Sequence, residues 1–179
     1  MSFVWSPDSR WLASTVGSVA TNLDVVLVDA SGQRPPMYVA HGGYNEAIPE
    51  FSADGKAVLW ATAREGMHQV DNSEEQLDID LAYLTRAAYD QKAEPAGENW
   101  QPQAAGIEQR TKRLTPFSLD PLYFMLMPDQ ERLLVVDRES GGRAAARFFK
   151  VGSGEMSELF TRPKADDYVA DAEGKHLYA

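Results

Sequence analysis

Apolar residues along this chain come in short runs rather than long stripes, and each run is preceded by a compact polar turn. Val58-Leu59-Trp60, Leu133-Leu134-Val135-Val136 and Leu177-Tyr178 are aliphatic or aromatic and bounded by turn formers, the signature of short β-strands. The turns resemble one another: Trp5-Ser6-Pro7-Asp8-Ser9-Arg10, Phe51-Ser52-Ala53-Asp54-Gly55-Lys56, Met127-Pro128-Asp129-Gln130-Glu131-Arg132 and Asp171-Ala172-Glu173-Gly174-Lys175. Pro fixes φ, Asp bonds the nearby backbone and Gly tolerates positive φ, which suits a tight hairpin.

The repeat has a period. Asp8 and Asp54, like Asp129 and Glu173, are separated by about 45 residues, the length of a four-stranded propeller blade. Asp54 and Asp129 are about 30 residues further apart than one such blade requires, so the second unit carries an insertion. The rest of each unit fits. Asp24-Val25-Val26-Leu27-Val28-Asp29 and Arg147-Phe148-Phe149-Lys150 read as third strands. Met37–Ala40, Lys112–Thr115 and Met156–Phe160 read as outer strands. The expected fold is all-β: a β-propeller fragment of antiparallel four-stranded blades, about three and a half of them. The expected units are 1–43, 44–115, 116–161 and a half blade at 162–179, with the insertion at 84–109. Tyr83 to Asp90 has apolar spacing compatible with one or two helical turns. Pro95, Gly97, Pro102 and Gly106 then interrupt regular structure in the rest of the insertion.

The stretch from Gly42 to Gly66, with its Ser52-Ala53-Asp54-Gly55-Lys56 turn and later Arg64-Glu65-Gly66, resembles a TolB-type blade. Asp80–Asp90, followed by an insertion and the return Ile107–Thr115, is similar to a segment of tricorn-like serine proteases. The third turn lacks the glycine and the fourth has Ala172-Glu173 where Pro-Asp is usual. The resemblance implies a parent with a PDZ-like module and a serine-protease domain, neither present in this sequence. It implies a module without a catalytic centre that gates or docks peptides or mediates protein contacts. The alternative is a TolB-like protein-binding scaffold with no linked enzyme. It also points to the cell envelope or periplasm, with the cytoplasm as the alternative.

Chemistry-bearing residues are sparse. No G-x-S-x-G is present, and Gly152-Ser153-Gly154 falls in an expected hairpin turn. His41, His68 and His176 are far apart. Asp71–Asp80 is rich in oxygen ligands but lacks EF-hand spacing, and is expected to be a solvated loop. No catalytic, cofactor or metal site is assigned. Strand tryptophans Trp5, Trp11 and Trp60 are expected to pack between blades. Trp100 and Tyr89 in the insertion, and His41 before Gly42-Gly43, are the candidate partner contacts. A net charge of −10, with scattered basic residues, disfavours nucleic acid, and no apolar run is long enough for membrane insertion. The expected partner is therefore a protein or peptide. Open propeller edges make self-association a further expectation, since a propeller hides its edges only when the ring closes.

Overall fold

The computed structural model describes residues 3–17, 22–66, 76–92, 100–171 and 173–179. Among them, successive strands pair with their sequence neighbours to give three four-stranded antiparallel sheets and a hairpin. The first sheet contains β1 (Phe3–Trp5), β2 (Trp11–Gly17), β3 (Leu23–Asp29) and β4 (Met37–Ala40). The second contains β5 (Glu46–Phe51), β6 (Ala57–Thr62), β7 (Asp78–Tyr83) and β8 (Thr111–Arg113). The third contains β9 (Pro121–Leu126), β10 (Arg132–Glu139), β11 (Arg143–Lys150) and β12 (Met156–Pro163). β13 (Val169–Ala170) and β14 (Leu177–Tyr178) form the hairpin. A four-residue helix, α1 (Arg86–Tyr89), capped by the Thr85 hydroxyl, lies in the insertion between β7 and β8.

The four related turns share one geometry. Ser9, Gly55, Gln130 and Gly174 all have positive φ, at 57°, 70°, 58° and 66°, and each donates its N–H to the carbonyl three residues back, on Ser6, Ser52, Met127 and Asp171. The third turn does without glycine because Gln130 takes the left-handed conformation itself.

Alternation along each strand decides what it packs against. In β6, Val58 and Trp60 join Trp11, Ala13, Val25 and Leu27 of the first sheet. Leu59 and Ala61, on the opposite face, join Phe124, Leu133, Val135 and Phe149 of the third. Val136, Ala144 and Ala146 then meet Leu177 and Tyr168 of the terminal segment. The core is thus a set of seams between consecutive sheets, the arrangement of propeller blades. Ala144-Ala145-Ala146, poor strand formers by propensity, lie within β11 and are fully buried or nearly so; their small side chains let the hairpin come close. β11 accordingly begins four residues before Arg147, where the strand was expected.

Two expectations are corrected. Asp78 and Asp80 belong to no solvated loop: they lie in β7 at 0% and 6% exposure. Trp5 does not fill a seam; it is 52% exposed on the outer face of the first sheet, while Trp11 and Trp60 are buried in the first seam.

Candidate functional site

The meander topology sends the turns between first and second strands, and those between third and fourth strands, to one rim. The second-to-third turns and the connections between sheets lie on the other. The insertion therefore shares a rim with the four related turns, and His41, which comes directly after β4, sits on the opposite rim. Tyr89 and Trp100 fall together; His41 is apart from both.

On the insertion rim, one buried side chain organises the backbone. Arg110, 3% exposed, donates Nε to the Tyr83 carbonyl at 3.0 Å, Nη1 to the Ala105 carbonyl at 2.8 Å and Nη2 to the Gln103 carbonyl. Three carbonyls, one at the end of β7 and two in the insertion, converge on one guanidinium, whose fork holds several acceptors at once. Burial lowers its pKa. Gln103 closes the base of the insertion: its Oε1 accepts from Arg86 N at 2.9 Å and its own N–H donates to the Leu84 carbonyl at 2.8 Å.

Above this base lies an aromatic and cationic group. Tyr89 meets Tyr83 edge-on at 5.8 Å. Lys112 Nζ lies 4.9 Å from the Tyr89 ring and 5.4 Å from the Tyr83 ring, and Arg86 stacks on Tyr89 at 5.2 Å. Beside them a cleft of about 210 Å³ is lined by Asp54, Lys56, Tyr83, Ala88, Lys92 and Gln130. Gln130 spans from the third sheet, donating Nε2 to Asp54 Oδ2 at 2.8 Å. The cleft is smaller than the roughly 300–1,000 Å³ of ordinary small-molecule pockets, so it suits one side chain or chain end of a larger partner. Trp100 does not project into it: the side chain packs against the first seam, and its carbonyl accepts from Arg10 Nη2 at 3.5 Å.

His41 lies on the far rim with its side chain 67% exposed, its Nδ1 2.8 Å from Oδ2 of the fully buried Asp24. Tyr38 stands 4.9 Å away. Asp24 Oδ1 also accepts from Gly42 N at 3.3 Å, tying the start of β3 to the chain leaving β4. Asp78 does the same in the second sheet, accepting from Arg113 Nη2 at 2.7 Å and from the Thr115 and Ser118 hydroxyls at 3.3 Å. These fasteners were not singled out in the sequence, although an Asp within the first two residues of both β3 and β7 was a readable signal.

A third group of acids occupies the second sheet. Glu46 on β5 is fully buried in the first seam, and neither of its oxygens has a hydrogen-bond partner among the described residues, nor do Trp60 Nε1 or Thr15 Oγ1. Burial pushes Glu46 up to about 7, with nearby Thr62 and Trp60 offsetting part of the effect. Burial likewise pushes Glu50 up to about 7 and Asp80 up to about 6. Glu50 comes after a bulge in β5 where Ile48 has φ of 51°; a β-branched residue there is strained. Across the seams β5 contacts β1, β2 and β3, and Tyr123 Oη on β9 accepts from Ala170 N on β13 at 3.2 Å. His68 and Asp71–Glu75 lie outside the described residues.

Radially stacked antiparallel sheets, sealed by alternating apolar faces and carrying one insertion, define a β-propeller segment. Solved structures share this fold. The tricorn protease matches 98% of this chain and 19% of its own, with a TM-score of 0.71 and 13% identity. A protein assigned as TolB from Agrobacterium tumefaciens matches 90% of this chain and 50% of its own, with a TM-score of 0.59 and 14% identity. The propeller domain of the Trilobed protease from Pyrococcus furiosus, described as having an open velcro topology, matches 89% and 41%, with a TM-score of 0.51 and 14% identity. The likeness is one of fold, and the chain spans about a fifth of the tricorn protease. No family model matches the sequence, and none of the curated proteins does.

Proposed function

We propose that this chain is a non-catalytic propeller module that docks peptide or protein segments on its insertion-bearing rim, serving a protease domain in a longer parent. The reading is supported by the fold shared with the tricorn and Trilobed proteases. The observation that carries it is the insertion itself. Arg110 holds its base in place, and Tyr83, Tyr89, Arg86 and Lys112 gather into one partly exposed aromatic and cationic group. Aromatic rings and Arg are the side chains that dominate protein contacts, and cations stacked on rings favour acidic side chains or a free carboxylate in the bound segment.

The test is binding of a fluorescein-labelled acidic peptide library to the chain, monitored by anisotropy. Tyr89→Ala and Lys112→Ala each weaken binding about tenfold, while His41→Ala on the far rim leaves it unchanged. Equal binding by all variants overturns the rim assignment. Hydrolysis of the peptides, abolished by one substitution in this chain, overturns the non-catalytic reading.

A further inference from the structure

The aligned turns repeat side-chain chemistry as well as backbone geometry. Just after the left-handed position of the first three turns, Trp11, Ala57 and Arg132 open the second strand of their sheets, with cross-strand partners Asp29, Tyr83 and Lys150. Each pair lies on the face turned toward the following sheet: Trp11 joins the first seam, Ala57 the second, and Arg132 shares a face with Val136 of the third. Beside each pair a groove opens on the insertion rim. The first, of about 780 Å³, is lined by Trp11, Asp29, Arg10 and Arg34. The second is the cleft at Ala57 and Tyr83, with Lys56 and Lys92. The third, of about 240 Å³, is lined by Arg132 and Lys150 with Phe148. In every one a cation rests on an aromatic ring and one member of the aligned pair takes part. Arg34 lies 5.8 Å from the Trp11 ring, Lys112 5.4 Å from Tyr83 and Arg132 5.0 Å from Phe148. Together the linings hold six of the chain's 17 basic residues and four of its 27 acids, so the grooves are locally positive or neutral on a chain of net charge −10. Two of those acids are engaged by neighbouring groups. Asp29 accepts from the Ser31 N–H at 3.0 Å and its hydroxyl at 2.8 Å, and Asp54 from the Lys56 N–H at 3.0 Å and from Gln130. The grooves also adjoin across the seams, since Arg10 reaches the Trp100 carbonyl of the insertion and Gln130 lines the second groove from the third sheet.

We propose that the three grooves form one track for an extended acidic segment of a partner protein, with one carboxylate side chain entering each groove as the segment crosses successive blades. This rests on the rim-docking reading above and adds that recognition is shared among blades instead of being confined to the insertion. Charge complementarity carries the assignment: the same basic and aromatic pairing recurs at the same aligned position of each sheet. Packed sheets lie about 10 Å apart and an extended chain advances about 3.3 Å per residue, so the carboxylates that fit are about three or more residues apart. Individually weak contacts on one segment reinforce one another, because each later one forms within a complex already made. The exposed pairs of Lys92 with Asp90 and Arg132 with Asp129 exchange readily with an incoming carboxylate.

Fluorescence anisotropy with two labelled glycine–serine peptides of equal length and charge tests this. One carries three glutamates about four residues apart; the other carries the same three side by side, so that it spans a single groove. The spaced peptide binds roughly tenfold or more tightly. Arg34→Gln in the first groove and Lys150→Gln in the third, both exposed, each weaken the spaced peptide roughly fivefold and leave the clustered one unchanged. Arg143→Gln, an exposed cation on the opposite rim, makes the same change of charge and affects neither peptide. Equal affinity for the two peptides overturns the proposal. So does a loss at Arg34→Gln or Lys150→Gln no larger than that at Arg143→Gln, or a loss at only one of them, which means that the segment does not cross all three blades. In each of these cases Tyr89→Ala separates the two readings: if it still weakens binding, docking at the insertion stands without the track, and if it does not, both readings fall.

Discussion

Replacing Glu46 by Gln isolates the energetic cost of a buried carboxylate in a blade seam. In the fold its pKa stands at about 7 against an ordinary 4.5, chiefly because burial disfavours the charged form. At 1.36 kcal/mol per pKa unit, that difference corresponds to about 3 kcal/mol. The sign comes from proton counting. Below pH 4.5 the carboxyl is protonated in both folded and unfolded chains, and nothing is lost. Between 4.5 and 7 the unfolded chain releases a proton that the folded chain keeps, so stability falls as pH rises. Above 7 the loss is complete and constant. Asp80 and Glu50 are raised as well and slope in the same direction, so the wild-type profile alone does not isolate Glu46. The difference between wild type and Glu46→Gln does. Gln keeps the shape and cannot ionise, and any cost of burying its amide is independent of pH. Urea unfolding monitored by tryptophan fluorescence from pH 4 to pH 8.5 should show the gap shifting in favour of Gln by about 3 kcal/mol across the range, with most of the change between 4.5 and 7. A gap that stays constant with pH refutes the reasoning.

The fasteners and turns set further outcomes. Arg110→Met strands the carbonyls of Tyr83, Ala105 and Gln103; it should cost about 2–4 kcal/mol and speed proteolytic nicking within residues 84–109, read by mass spectrometry. Asp78→Ala leaves Arg113, Thr115 and Ser118 without their shared acceptor and should lower stability by about 2 kcal/mol in urea. Ser9→Gly relieves a non-glycine residue at φ of 57° and should add up to about 1 kcal/mol. Gly55→Ala, at φ of 70° with Pro7 Cδ 3.3 Å from the new Cβ, should remove at least as much; equal melting temperatures for these two variants would contradict the shared turn geometry.

The repeat was legible because hairpin turns are local. Ser, Asp and a left-handed residue at fixed offsets make their bonds within a few residues, so Asp8, Asp54 and Asp129 announced three blades even where Gln130 replaced glycine. The insertion was legible as a break in the period, and its helix as apolar spacing near Tyr89. The candidate contacts were less so. Tyr89 lies in the cationic and aromatic group, but Trp100 packs inward, because it joins Ile107 of the same insertion against the first seam. Arg110 itself read as one basic residue among several; its three acceptors come from Tyr83, Gln103 and Ala105, and no sequence pattern marks carbonyls.

The amino-acid sequence by itself determined the strand meander, its turns and the two-faced alternation, since each depends on contacts between residues close along the chain. Tertiary structure alone decided which acids are desolvated, and that Trp5 stays exposed while Trp60 is buried. Those outcomes depend on what the neighbouring sheet places opposite a face. Alternation specifies that a side chain leaves the sheet on one side; only packing supplies the surface it meets there.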